Sequence, residues 1–146
     1  MKLVTDMIAQ LEKFPLSVLQ LLFRFSIAYT FWNAGIVKIQ SWQPTVALFA
    51  NEYRVPILPP ELAAMLATAV ELTCPVLLVL GLATRLATLP MLAMTFVIQT
   101  FVYPDLWHIH LLWATILVFI LTRGPGAISL DHFIGKALQQ HHRQHA

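Results

Sequence analysis

Residues Glu61 to Arg85 read ELAAMLATAVELTCPVLLVLGLATR, an apolar run with one carboxylate, Glu71, near its middle. A bilayer's hydrocarbon core is about 30 Å thick and a helix rises about 1.5 Å per residue, so roughly 20 apolar residues cross it. Glu71 would then lie deep in hydrocarbon, where a carboxylate must be protonated, paired or turned to a polar cavity. Pro75 follows four residues later. A proline cannot donate to the carbonyl four residues back, which here is that of Glu71. One point of this helix therefore carries a side-chain carboxyl, a freed backbone acceptor and a potential kink.

The rest of the chain fits the setting this run implies. Of 146 residues 58% are hydrophobic and 11% charged, and the mean hydropathy is +0.72. Soluble domains carry about 25% charged residues, so the composition describes a membrane protein. The length suits one domain of a few spans. A net charge of +2 with dispersed basic residues excludes a nucleic-acid-binding face. The single cysteine, Cys74, allows no internal disulfide, CxxC pair or cysteine-built zinc site, and reads as a small packing residue. MKLVTDMIAQLEKF has scattered charges and no short apolar core before a small-residue cleavage site, so it does not read as a cleaved signal peptide.

The expected fold class is all-α: a polytopic four-helix membrane bundle with short amphipathic helices at the interface. Residues 1–15 form an N-terminal interfacial segment, with Leu3, Met7, Ile8, Leu11 and Phe14 at helical spacing. Residues 16–123 form the four-span domain, with spans at about 16–39, 61–84, 86–103 and 106–122 and an interfacial loop at 40–60. In that loop Trp42, Val46, Phe49 and Tyr53 recur at steps of three and four, which predicts a short helix in the plane of the headgroups. Asp105 is placed to cap the fourth span. Residues 124–146 comprise a Gly124-Pro125-Gly126 stop, a short amphipathic helix capped by Ser129, and a polar, disordered tail bearing His141, His142 and His145. Lys2, Lys13, Arg85, Arg123, Lys136 and Arg143 fall on one side of this topology, and Lys38 and Arg54 on the other. The positive-inside rule then places both termini in the cytoplasm.

In the first span Gln20, Arg24, Phe31, Gly35, Lys38 and Trp42 lie within about 40° of one meridian, with Asn33 opposite. This polar, small face should look into the bundle. Counting residues from the membrane edge puts Arg24 and Glu71 at similar depths, so a buried Arg24–Glu71 pair is expected, either fixing helix register or serving binding and proton relay. Lys38 is either a further polar group of that site or an interfacial anchor. Phe31, Trp32 and Trp42 are candidate apolar or stacking walls. His108 and His110 start the fourth span at the outer interface. As i and i+2 on a helix they point some 160° apart, so no metal site is assigned to them. No catalytic constellation is visible.

Arg24, Gly35-x-x-Lys38, Glu71, Gly81-Leu82-Ala83-Thr84-Arg85 and Gly124-Pro125-Gly126-Ala127-Ile128-Ser129-Leu130-Asp131 stand in this order. Over residues 18 to 135 the set resembles the DoxX family of small four-helix bacterial membrane proteins. The resemblance implies a location in the bacterial inner membrane. It also implies association with redox enzymes, since the family takes its name from a membrane subunit linked to thiosulfate:quinone oxidoreduction. Two functions follow from it. One is a redox-associated subunit that holds a quinone or similar lipid-soluble ligand beside Arg24 and Glu71 and serves a membrane or periplasmic redox partner, with homo-oligomers allowed. The other is a non-enzymatic assembly or maturation factor that offers helix surfaces to a partner protein.

Overall fold

The computed structural model describes residues 2–144, with side chains through Gln140, and every regular element among them is helical. Helix α1 (Lys2–Glu12) meets α2 (Leu16–Gln40) at Pro15. A short α3 (Trp42–Leu48) widens into a π turn at Phe49–Tyr53. Then come α4 (Pro60–Leu80) and α5 (Thr84–Val97), the latter extended by a second π turn at Ile98–Val102. A 3-10 turn at Pro104–Leu106 leads into α6 (Trp107–Arg123), and α7 (Leu130–Gln144) closes the described chain.

Among the described residues three helices are long and apolar enough to cross a bilayer: α4, α5 with its π extension, and α6 with its leading turn. Helices α1 and α2 meet that measure only together, bent by 63°, which gives three or four candidate spans. The polar face of α2 explains its shortfall, since Gln20 and Arg24 are buried along with Ile27, Ala28, Phe31 and Gly35. Asn33 lies exposed on the opposite side, as the periodicity requires. Contacts run from α2 to α4, α4 to α5, α5 to α6 and α6 back to α2, so the four long helices close a ring. Its core is built from Ile27, Phe31, Leu78, Met91, Leu117 and Ile120.

Two glycines set the register of the tightest pair, α2 on α4. A methyl at Gly35 would lie 3.0 Å from Glu71 Cβ and closer still to Leu72. At the other end Gly81, with φ +68, lets Arg24 pass against the backbone. Gly81 also ends α4 in a Schellman motif, with Leu82 N–H donating to the Leu77 carbonyl (2.9 Å) and Gly81 N–H to that of Leu78 (3.1 Å). Asp131 completes the turn: its carboxylate accepts from the amides of Ala83 (2.7 Å) and Thr84 (2.9 Å), the first donors of α5.

Helices α1 and α7 keep their apolar sides off the protein. Leu3, Met7, Ile8 and Leu11 on one, and Phe133, Ile134 and Leu138 on the other, are exposed, as suits helices lying in a membrane interface. Ser129 caps α7 as expected, its hydroxyl accepting from the His132 amide (3.2 Å). Two local expectations change. Asp105 makes no capping bond, because the 3-10 turn places Leu106 at the cap position of α6. The polar segment after Leu138 continues as helix to Gln144, carried on by the amphipathic turns before it. The side chains of His141 and His142, and all of His145, lie outside the described residues.

Candidate functional site

A cavity of about 630 Å³ opens between the helices at the end of the ring away from Gly81. Its wall is mostly apolar, with Phe31, Val70, Met94 and Trp113 prominent. Phe31 and Trp113 meet edge to face at 5.4 Å between centroids, a favoured aromatic geometry that stiffens this wall. Three polar clusters interrupt it: Lys38 with Glu71, His110 with Gln99 behind it, and the tyrosine pair Tyr53–Tyr103.

Glu71 is 4% exposed and Lys38 Nζ lies 2.8 Å from each carboxylate oxygen, Oε1 and Oε2. The long helices explain why these two meet. Side chains on a helix lean toward its N-terminus, so Lys38 leans back toward the level of Gly35, which is that of Glu71. The expected Arg24–Glu71 pair does not form. Counting inward from an assumed membrane edge misjudged the register, which the two glycine contacts fix instead. Arg24 stands at the level of Gly81, ten residues and roughly 15 Å along α4 from Glu71. There Arg24 Nη2 donates to the Ile128 carbonyl (2.7 Å), and Asp131 is the acid whose charge acts on it. Gln20 supports the same turn, its amide reaching the carbonyls of Arg123 (3.3 Å) and Gly124 (3.2 Å).

Of the other expected site residues, Phe31 and His110 line the cavity. Trp32 does not: it borders a separate groove of about 320 Å³ on the outer side of α2 and α4, beside Tyr29 and Pro75. Trp42 does not line the cavity either: it packs behind a small cluster of Phe49, Ala63 and Ala64, of which Phe49 and Ala63 form part of the cavity wall. His108, two residues and so 200° around the helix from His110, is not part of the cavity wall and meets the Trp107 ring instead. No group of three or more potential metal ligands occurs among the described residues.

No sequence motif marks Tyr53, Tyr103 or Gln99 as site residues; the two tyrosines line the cavity and Gln99 backs His110. Tyr53 and Tyr103 stand at 5.6 Å between ring centroids, and the Tyr103 hydroxyl lies within reach of Tyr53 Oη (3.4 Å) and Glu52 Oε1 (3.3 Å). Each tyrosine ends or follows one of the two π turns, which touch each other, and π turns gather at functional positions. Burial, then the Tyr103 hydrogen bond, pushes the Tyr53 phenol well above the ordinary tyrosine range. Gln99 was legible in principle. It and His110 are equidistant from the turn between α5 and α6, so a tight antiparallel hairpin must bring them face to face.

The DoxX family model matches residues 19–104, more than half of the chain. Among curated proteins and solved structures, none matches at a significant level. The matched stretch takes in Arg24, Lys38, Glu71, Gly81 and both π turns. The Gly124–Asp131 motif lies beyond it yet bonds directly to the Gly81–Thr84 turn inside it. With the apolar helices and this family match in agreement, the chain belongs to the DoxX family of membrane proteins.

Proposed function

We propose that this protein holds a lipid-soluble ligand with a small polar head, quinone-like in character, in the cavity beside Lys38 and Glu71, as a redox-associated subunit of the bacterial inner membrane. The observation that carries this reading is the cavity itself. At about 630 Å³ it falls in the ordinary size range of small-molecule sites, and it joins an apolar wall to a few convergent polar groups. Lys38 Nζ can donate to a ligand carbonyl while Glu71 holds it in place, and Phe31 and Trp113 offer flat faces to a ring. The chain's own part is to bind and orient such a head, with electron transfer left to a partner. Both termini belong in the cytoplasm on this reading. Arg85 and Arg123 flank the tied turns at the Gly81 end, where positive charge is retained inside.

Native mass spectrometry of the protein released gently from its own membrane, with the extract assayed for quinones, tests the proposal. The expected result is one apolar small molecule per chain, lost in Ala67→Phe, which fills the cavity from α4. A protein partner retained in both proteins, with no small molecule in either, would overturn it in favour of an assembly factor.

A further inference from the structure

The hydrogen-bond pattern behind His110 assigns the proton on its ring. Gln99 Nε2 donates to the Pro104 carbonyl at 2.8 Å, and a carbonyl can only accept. The amide orientation of Gln99 is thereby fixed, with Oε1 facing His110 Nδ1 at 2.7 Å. Oε1 also only accepts, so Nδ1 carries the hydrogen. In the neutral ring Nε2 is then a bare acceptor. His110 is 4% exposed and lines the cavity. Among the described residues no protein donor reaches its Nε2. The other polar pole of the cavity, Lys38 with Glu71, lies on α2 and α4, whereas His110 stands on α6, across the ring from α4.

We infer that His110 Nε2 is the specificity-determining acceptor of the cavity, selecting ligands whose head offers an O–H donor, a phenol or hydroquinone, over the oxidised carbonyl form. The inference rests on the cavity reading above and adds the class of head it prefers. A carbonyl oxygen set against Nε2 would face a lone pair and leave both acceptors unsatisfied. A hydroxyl makes a hydrogen bond there. At the far pole the pair tolerates either form, since Lys38 can donate to a carbonyl and Glu71 can accept from a hydroxyl.

The test uses the full chain in lipid nanodiscs, titrated calorimetrically and without oxygen with a decyl-substituted benzoquinone and with the same compound reduced to its hydroquinone. The expected result is tighter binding of the hydroquinone by about tenfold, the worth of one net hydrogen bond. His110→Phe should bring the two forms to equal affinity while quinone binding persists. Nitrogen-15 NMR of the histidine ring should show Nδ1 protonated in the wild type. Gln99→Met should release that tautomer and shrink the preference, and it serves as the probe if His110→Phe does not fold. Equal affinity of the wild type for both forms, or tighter quinone binding, would overturn the inference and leave the cavity reading standing. Binding of neither form would remove both.

Discussion

Replacing Lys38 with methionine removes the only cation within salt-bridge distance of Glu71 among the described residues and keeps an unbranched apolar stem one atom shorter. The carboxylate left behind is 4% exposed, and both of its oxygens have lost a contact at 2.8 Å. Breaking a buried pair from one side costs about 3–5 kcal/mol; because Glu71 can escape part of that by taking up a proton, the expected loss is about 3 kcal/mol. Glu71→Gln should cost less, about 1–2 kcal/mol, because the Lys38 stem is long and its end can swing toward the nearby surface. The double variant removes both charges, so it should fall within about 1 kcal/mol of wild type. The coupling is then on the order of 3 kcal/mol, far outside the roughly 0.5 kcal/mol expected of independent sites. Reversible unfolding in mixed micelles, run on all four proteins, measures it. Additive effects would refute the pairing. The parallel cycle of Arg24→Met with Glu71→Gln should be additive, because roughly 15 Å of helix separates those two residues.

Three further outcomes follow from the same geometry. Asp131→Ala removes two charge-assisted bonds to the first amides of α5 and should destabilise the protein by about 1–2 kcal/mol in the same unfolding assay. Gly81→Ala meets both a left-handed backbone (φ +68) and the Arg24 guanidinium, so it should lose more than about 2 kcal/mol. Gly135→Ala, with open space around a helical position, should gain about 0.5–1 kcal/mol, and equal effects at the two sites would contradict the packing. Tyr53 should stay protonated at a pH where the unfolded chain ionises, near pH 10. The folded state then binds more protons above that value, so the stability this residue contributes is whole below pH 10 and declines as pH rises beyond it. Ultraviolet titration of wild type against Tyr53→Phe resolves the late-ionising phenol, and Tyr103→Phe should bring it earlier.

The long helices were legible because hydrophobic runs of this length have few other uses, and the buried meridian of α2 followed from 3.6-residue periodicity alone. Glu71 is legible as the lone carboxylate of its apolar run, and it lines the cavity. Its partner was misassigned because a sequence gives depth only by counting from an edge that it does not mark. The real ruler is steric: Gly35 meets Glu71 and Gly81 meets Arg24, contacts eleven residues apart along α2 and ten apart along α4, and small residues reveal such contacts only once helices are paired. Trp32 fell outside the site for a related reason. It is next in sequence to Phe31 but about 100° around the helix, enough to carry it from the cavity to the outer groove. Tyr53 falls in the helical series of the 40–60 loop, but its meeting with Tyr103 is not legible there, because it depends on two π turns that touch only once the chain has folded. Gln99 and His110 are legible as partners only if the α5–α6 connection is read as a tight hairpin, whose centre lies midway between them.

The bonds made by Asp131 also bear on how the chain is assembled in time. Its amide donates to the Gly81 carbonyl (2.8 Å) and its carboxylate receives the amides of Ala83 and Thr84. The hairpin between α4 and α5 therefore lacks three of its hydrogen bonds until a residue nearly fifty positions later has been made and has returned to the same membrane face. During synthesis those amides, and the left-handed Ala83 (φ 46) between them, wait in water or among lipid headgroups. Inserting the helices and locking them are thus separate events, and the lock arrives with α7.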